Sequence, residues 1–305
     1  MSSIIFGPIN SRRFGKSLGV DVSPNTKQCN FDCLYCELKP AQTVATYNDV
    51  VPLKEVIEAI KKGLQEHKNI DFLTITANGE PTLYPFLNEL IEAINSFKGS
   101  IKTLILSNGS RVHKKEVQEA LKKFDVVKLS LDCATSKCFK KLDRNDESVS
   151  LEDIKKGMLE FKKQYKGFLQ IEILFVEGLN DKKEEIAKLN EFLLELKPDS
   201  IDLSTIDRPP AFDVKPLSFD KMHTIAKQFD KNLPVQIVSK NRTVEQKFDY
   251  SKEEIINTLQ RRPLSKEDID ILFTPEAKEN LNVLLKKGKI VLEYLNNQEF
   301  YRVKE

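Results

Sequence analysis

The sequence predicts an α/β fold, built on a parallel sheet of at least six βα units and followed by a small C-terminal domain. From residue 50 to about 240, helical stripes of apolar residues alternate with short apolar strands. Several of these strands are apolar nearly throughout, as strands buried on both faces of a parallel sheet are. After Lys247 the rhythm changes to three short helices and a hairpin. We therefore predict one domain over residues 1–247 and a second over residues 248–305.

The strands of the larger domain follow one another at regular intervals. A first strand is predicted at residues 18–22. Each later strand follows a helical stripe, and these strands span residues 70–76, 101–106, 126–131, 168–175, 200–205 and 234–238. This number of units suits a full barrel, a partial barrel or an open doubly wound sheet, and periodicity alone does not separate the three.

The C-terminal segment has the element order of a winged helix. Its three predicted helices span residues 253–262, 265–273 and 275–287, and a hairpin with a polar loop at residues 296–298 follows them. Residues 251–305 contain ten Lys or Arg and ten Asp or Glu, so the segment is neutral. Because a DNA-binding domain normally has a basic face, a protein-contact or lid role is predicted at least as strongly as nucleic-acid binding.

The composition excludes several classes of protein. The 305 residues are 40% hydrophobic, and 48 basic residues balance 46 acidic ones, which excludes a polybasic tail and an acidic disordered chain. Apolar runs are too short to span a bilayer, and the N-terminus lacks the pattern of a signal peptide. Of the five cysteines, three lie within eight residues, unlike a secreted disulfide framework. We expect a soluble cytoplasmic protein without membrane contact.

The strongest chemical signal is a loop with the spacing Cys-x3-Cys-x2-Cys. Its members are Cys29, Cys33 and Cys36, and the loop follows the first predicted strand, at the edge where parallel α/β folds place their sites. Clustered thiolates bind iron–sulfur or zinc, since both favour sulfur ligands. Three ligands leave one position open, and no further Cys or His lies within twenty residues on either side. The alternatives are a zinc knuckle with a distant fourth ligand, or simply buried cysteines.

This loop, with Tyr35 just before the third cysteine, resembles the radical S-adenosylmethionine (radical SAM) superfamily. The resemblance implies a partial (βα)6 barrel and a [4Fe–4S] cluster bound by Cys29, Cys33 and Cys36. In that family the fourth iron binds S-adenosylmethionine, and an electron from the cluster cleaves it to methionine and a 5′-deoxyadenosyl radical. An electron donor such as flavodoxin or ferredoxin is the implied partner.

Polar residues at successive strand ends match further elements of the family. The segment 78–82 (Asn-Gly-Glu-Pro-Thr) resembles the Gly-Gly-Glu element that contacts the methionine amino group, and later strand ends resemble the ribose, carboxylate and adenine contacts. Each match alone is also typical of ordinary turns. The resemblance assigns no catalytic residue, but it predicts a set of cofactor-binding residues: Tyr35, Asn78, Gly79, Glu80, Pro81, Thr82, Ser107, Asn108, Ser130, Asp132, Val176 and Asn180.

Within the superfamily, residues 6–20, 78–82 and 205–210 resemble the wyosine-synthesis branch, which modifies a guanine base of tRNA. The resemblance implies a base in a structured RNA as substrate, with a small molecule or a peptide as the alternative. The wyosine enzymes hold a second cluster through upstream cysteines, whereas no cysteine precedes Cys29 here. Basic residues near the predicted barrel mouth are candidate phosphate contacts, namely Arg12, Arg13, Lys16 and Arg208.

Two further interpretations follow from the residues. A protein of another class, an iron–sulfur sensor that binds nucleic acid through the winged helix, is the alternative to an enzyme. It leaves the polar residues at several strand ends unexplained. Cys133 and Cys138, just beyond the fourth predicted strand, are either a redox pair, ligands of a second metal, or small buried cysteines. The last is favoured, because two cysteines cannot close a cluster alone and buried cysteine is common.

Overall fold

The computed structural model describes residues 4–11, 14–238, 247–261, 263–295 and 298–304. Arg12 and Arg13, two of the predicted phosphate contacts, lie outside these ranges, as does the Asn296–Asn297 part of the hairpin loop. Among the helices described, none combines the length and the apolar character that crossing a membrane requires.

An eight-stranded sheet forms the larger part of the protein. Its strands are β1 (Ile5–Ser11), β2 (Gly15–Asp21), β3 (Phe72–Thr76), β4 (Lys102–Ser107), β5 (Val126–Ser130), β6 (Phe168–Phe175), β7 (Ser200–Thr205) and β8 (Val235–Ile237). They lie side by side in chain order, with β2 to β8 all parallel. A doubly wound sheet reverses its strand order at a switch point, and this sheet does not. The prediction of a partial barrel with six βα units is confirmed.

Seven helices connect the parallel strands and cover the outside of the sheet. They are α1 (Leu53–Glu66), α2 (Leu87–Phe97), α3 (Lys115–Leu121), α4 (Ser136–Leu142), α5 (Leu151–Gln164), α6 (Lys183–Leu196) and α7 (Phe219–Ala226). Each packs an apolar stripe on the sheet, as the fully buried Val56 and Ile60 of α1 do. Side-chain caps fix three helix starts, because Thr135 accepts from Cys138 N, Ser150 from Asp153 N and Ser218 from Lys221 N.

The antiparallel strand β1 is not predicted by the sequence pattern. It pairs with β2 and extends the sheet at the edge opposite β8. The register between the two strands shifts between Phe6 and Ile9, where Gly7 and Pro8 interrupt the apolar run. Glycine and proline usually mark the end of a strand, so the pattern conceals this one.

The C-terminal segment has a separate apolar core. Its elements are α8 (Lys252–Arg261), β9 (Leu264–Ser265), α9 (Lys266–Leu272), α10 (Pro275–Lys286), β10 (Ile290–Leu295) and β11 (Gln298–Val303). Ile255 and Phe273 are buried in this core. The predicted helices and hairpin are present, while the likeness to a winged helix and the boundary at residue 247 stay predictions. Arg302 donates to the main-chain oxygen of Glu37 at 2.7 Å, which brings β11 beside the cysteine loop.

Candidate active site

The three clustered cysteines lie in the long loop between β2 and α1, at the carboxyl edge of the sheet. All three are unbonded to other sulfurs and partly buried. The start of the loop is fixed to the β3–α2 turn, since Gln28 N donates to Asn78 O at 2.9 Å and Glu80 N donates to Gln28 O at 3.0 Å. The cysteine loop is therefore anchored directly to the segment predicted to bind the methionine amino group.

Gly79 makes this anchoring possible. It has a φ of 136°, and a Cβ atom at this position would lie 1.9 Å from the main-chain oxygen of Gln28. Any side chain would push the cysteine loop away. Gly79 stays a predicted cofactor contact, and the structure shows in addition that it lets two loops approach each other.

Neighbouring groups contact two of the sulfur atoms. Cys29 Sγ accepts from Phe31 N at 3.4 Å and from Asn108 Nδ2 at 3.7 Å. Cys33 Sγ lies 3.6 Å from Asp143 Oδ1. Asn108 thus connects the end of β4 to the first cysteine, while Asp143 connects the end of α4 to the second.

Burial raises the pKa of all three thiols. The pKa of Cys29 rises to about 12, that of Cys33 lies well above its usual value, and that of Cys36 is also raised. Buried thiolates of this kind need a nearby positive charge, which a metal centre provides. Among the described residues, the loop sulfurs do not form a set of three ligand atoms within 4.8 Å of one another. At least one pair of these sulfurs is therefore more than 4.8 Å apart.

Glu80 is a buried hydrogen-bond acceptor at the centre of the site. Its Oε1 accepts from Thr82 N, Thr82 Oγ1 and Ser107 Oγ at 2.9, 2.6 and 2.7 Å, and its Oε2 accepts from Asn108 N at 2.7 Å. Burial raises the pKa of Glu80, while these hydrogen bonds oppose the rise. The carboxyl group joins the ends of β3 and β4, and Oε2 retains capacity for one more donor.

The end of β5 contributes a second buried carboxyl group. Tyr35 donates its hydroxyl to Asp132 Oδ2, and Leu174 N donates to Asp132 Oδ1 at 2.6 Å. Asn180 Nδ2 donates to the main-chain oxygens of Asp132 and Leu174 at 2.9 and 2.8 Å, and Val176 N donates to Asn180 Oδ1 at 2.8 Å. Asn180 is fully buried and shapes the turn after β6.

A cavity of about 540 Å³ opens beside the cysteine loop and runs into the barrel. Tyr35, Cys36 and Asn78 line the end nearest the loop. A small adjoining cavity of about 20 Å³ is lined by Tyr35, Asn108, Ser130 and Asp132. Five of the residues predicted to bind the cofactor therefore share two neighbouring cavities, although they come from four different strand ends.

A comparison with known proteins identifies the family. The family model described as the radical SAM superfamily matches residues 24–189. The chain belongs to the radical SAM superfamily. It is 41% identical over 300 residues to a UPF0026 protein of Helicobacter pylori (strain J99), covering 98% of this chain and 97% of that protein. A UPF0026 protein of Methanocaldococcus jannaschii is 31% identical over 312 residues, covering 98% and 95%.

The fold of this radical SAM enzyme is similar to that of TYW1 in a solved structure with a lysine–pyruvate adduct bound. The TM-score is 0.54 at 20% identity, covering 71% of this chain and 74% of the other. The enzymes of this superfamily use a [4Fe–4S] cluster and S-adenosylmethionine, and they need a reductant. Three free, partly buried thiols in one loop fit such a cluster, which is held by cysteine thiolates.

Several predicted cofactor-binding residues lie behind the cavity surface of the radical SAM enzyme. Pro81, Thr82, Ser107, Val176 and Asn180 are buried in turns or at strand ends. The sequence pattern also missed Asp143 and Asn30. Asn30 accepts from Asn108 Nδ2 at 2.9 Å and donates to Ser110 Oγ at 2.8 Å. Both residues contact partners that are far away in the sequence, so no local motif indicates their roles.

Cys133 and Cys138 form a disulfide bond, with Cα atoms 5.6 Å apart. Both are buried, as the favoured interpretation as small buried cysteines predicts, and they are also paired, because Thr135 starts α4 between them and brings the two sulfurs together. Glu185 is the nearby carboxylate: its Oε1 accepts from the main-chain N–H groups of Ala134 and Thr135, and its Oε2 accepts from Thr135 Oγ1. Cys133, Cys138 and Glu185 lie close enough together to hold a metal ion. The two sulfurs are bonded to each other, however, and the carboxylate already accepts these hydrogen bonds.

Asp132 is expected to make the stability of the cofactor-free enzyme depend on pH. Burial raises its pKa to about 7 from an ordinary 3.8. Between these values the folded state binds more protons than the unfolded state, so stability falls as the pH rises. Asp132→Asn removes this titration, and its thermal midpoint should fall less steeply than that of the wild type between pH 4 and 7 in calorimetry. Parallel curves for the two proteins would show that Asp132 titrates normally.

Proposed function

We propose that this enzyme modifies a base in a structured RNA and that Cys29, Cys33 and Cys36 hold its [4Fe–4S] cluster. When bound, the cluster and S-adenosylmethionine supply a 5′-deoxyadenosyl radical. One observation supports RNA as the substrate class. The three segments that resemble the tRNA-modifying branch, residues 6–20, 78–82 and 205–210, all contribute to the same cavity.

The cavity wall offers aromatic surfaces for a base. Phe6 and Phe14 line it, and the ring of Phe14 lies 5.1 Å from that of Phe72. RNA-modifying proteins bind bases that are splayed out of the stack, and aromatic side chains replace the stacking that the base loses. A single-stranded loop is therefore the favoured target rather than a duplex.

We propose that S-adenosylmethionine lies against residues that line one or the other of the two cavities. Tyr35 and Asn78 border the large cavity, and Asn108, Ser130 and Asp132 border the small one. Glu80, with its remaining acceptor capacity on Oε2, is the proposed partner of the methionine ammonium group. The buried Pro81, Thr82, Ser107, Val176 and Asn180 hold these residues in position.

The proposed RNA contacts are fewer than the sequence predicts. Lys16 Nζ donates to the main-chain oxygen of Lys68 at 2.9 Å and lies 5.2 Å from the ring of Phe248. Arg208 pairs with Glu37 at 2.9 Å inside the cavity. These two side chains are engaged within the protein, so phosphate binding is proposed for Arg12 and Arg13. For the reductant, we propose a flavodoxin or a ferredoxin.

The proposed reaction differs from wyosine synthesis. The wyosine enzymes carry a second cluster bound by upstream cysteines, and here no cysteine precedes Cys29. The remaining cysteines, Cys133 and Cys138, are bonded to each other. The product is therefore expected to be a different modified nucleoside, found by mass spectrometry of nucleosides after anaerobic incubation with total RNA.

Binding of bulk tRNA is expected to weaken with salt and with the loss of two arginines. Arg12→Ala/Arg13→Ala should lower the slope of log affinity against log salt by roughly 1.4–1.8, since each phosphate contact contributes about 0.7–0.9. The measurement is fluorescence anisotropy at several salt concentrations. Lys54→Ala/Lys62→Ala removes equal charge from the exposed face of α1 and should leave the slope unchanged. Absence of binding at about 50 mM salt would exclude RNA as the substrate.

A further inference from the structure

A lysine side chain is buried against the cysteine loop. Lys27 Nζ donates to Asp32 Oδ1 at 3.2 Å and to the main-chain oxygen of Lys39 at 2.8 Å, and the side chain is 9% exposed. Asp32 directly precedes Cys33 in the sequence, and Lys39 follows Cys36 by three residues. The ammonium group therefore joins the middle of the cysteine loop to the segment that follows the third cysteine.

Asp32 has a second cationic partner. Arg144 Nη2 lies 3.4 Å from Asp32 Oδ2, and the guanidinium carbon of Arg144 lies 4.7 Å from the centre of the Phe212 ring. The Asp32 side chain is 8% exposed, whereas that of Arg144 is 44% exposed. One buried carboxylate thus contacts a buried ammonium group and a partly exposed guanidinium group. Together the three side chains carry one positive charge.

The charge of Lys27 acts on the proposed cluster ligands. Burial raises the pKa of Cys36 and of Cys29, and among cations Lys27 opposes this rise most. A buried ion pair is also an expensive way to hold a loop, since hydrophobic residues of similar volume usually serve stability equally well. The position of Lys27 therefore indicates a function for its charge beyond folding.

We infer that Lys27 and Asp32 set the reduction potential of the cluster, with Lys27 favouring the reduced form and Asp32 opposing it. The inference rests on the proposed cluster ligands. Uptake of one electron from the proposed one-electron donor adds one negative charge at the cysteine loop. A fixed cation nearby stabilises that charge, and a buried cation is screened by solvent less than an exposed one. Net charge and solvent exposure are among the factors that set the potential of an iron–sulfur cluster.

Redox titration of the anaerobically reconstituted enzyme tests the inference, with the reduced cluster measured by electron paramagnetic resonance before S-adenosylmethionine is added. Lys27→Met should lower the ratio of reduced to oxidised cluster at a fixed potential at least tenfold, equivalent to about 59 mV for one electron. Asp32→Asn should raise this ratio. Lys27→Met/Asp32→Asn removes one charge of each sign and should return the ratio close to that of the wild type.

Two further variants complete the titration. Lys162→Met is the matched control, because Lys162 pairs with Asp199 at 2.7 Å just before β7, at the opposite edge of the sheet. It should leave the ratio unchanged. Arg144→Gln should lower the ratio less than Lys27→Met does, since water screens the partly exposed charge. Arg144→Gln keeps the buried pair, so together with Asp32→Asn it decides the question if Lys27→Met does not retain its iron.

The direction of the shifts separates a role of charge from a role in folding. Shifts of the same sign in Lys27→Met and Asp32→Asn would overturn the inference, because the pair would then only order the loop. Unchanged ratios in variants that retain their iron would overturn it as well, and both results leave the proposed function intact. A reconstituted wild type without an iron–sulfur cluster would instead contradict the proposed function, and the inference with it.

Discussion

Replacing any one of Cys29, Cys33 and Cys36 with Ala is expected to abolish the iron–sulfur cluster and, with it, cleavage of S-adenosylmethionine. The three thiols lie in one loop and neighbour no further Cys or His in sequence, so a variant with two thiolates has no substitute ligand nearby. Iron content, the brown colour and the release of 5′-deoxyadenosine should all fall to background in each variant.

The matched control for these variants is the double substitution Cys133→Ser/Cys138→Ser. It removes two buried cysteines that are bonded to each other, not to the proposed cluster. This variant should keep the iron content of the wild type. About four irons per chain in all three single variants would contradict the assignment of the ligands. A native protein containing zinc alone would contradict it as well.

Glu80→Gln is expected to impair both cofactor binding and folding. The carboxyl group of Glu80 accepts four hydrogen bonds from three residues. In the Gln variant an amide NH2 group replaces one of its oxygens, and this group cannot accept the hydrogen bonds made to that oxygen. The free energy of unfolding should fall by about 1–3 kcal/mol because a buried donor loses its partner. The affinity for S-adenosylmethionine should fall at least tenfold, measured by calorimetry on the cluster-containing protein.

Glu89→Gln provides the comparison, since Glu89 lies exposed on α2. It should match the wild type in both unfolding and cofactor affinity. If Glu80→Gln lowers stability without changing the affinity, Glu80 only joins the ends of β3 and β4. If it changes neither, the four hydrogen bonds carry no net energy and the proposed role is wrong.

The repeating part of the fold follows directly from the sequence. The predicted strands at residues 101–106 and 168–175 differ from β4 and β6 by at most one residue. Strands buried on both faces need nearly continuous apolar runs. Such runs between amphipathic helices therefore indicate a parallel sheet covered by helices. β1 escapes prediction because its pairing with β2 depends on a register shift at Gly7 and Pro8.

The position of the cysteine loop follows from the sequence, whereas its supports do not. A loop after the first parallel strand must lie at the carboxyl edge of the sheet, and the structure places it there. Its contacts with Asn108 and Asp143 come from segments 79 and 110 residues away in sequence. Local patterns contain no record of such contacts, nor of the close packing of Gly79 against Gln28.

Three charged residues that line the cavity, Lys128, Glu172 and Asp202, are equally hidden in the sequence. Lys128, Glu172 and Asp202 each alternate with apolar neighbours, a pattern that usually marks the solvent face of a strand. Only the closure of the sheet reveals that these positions face an interior cavity. Periodicity predicts which residues share a face, and the three-dimensional arrangement decides what that face surrounds.

The most direct test is turnover of S-adenosylmethionine by the anaerobically reconstituted enzyme under strong reduction, with the Cys33→Ala variant beside it. We expect the wild type to release 5′-deoxyadenosine and methionine in equal amounts and Cys33→Ala to release neither. Equal release by the two proteins, or none by a wild type that contains a full cluster and binds S-adenosylmethionine, would contradict radical chemistry at the cysteine loop.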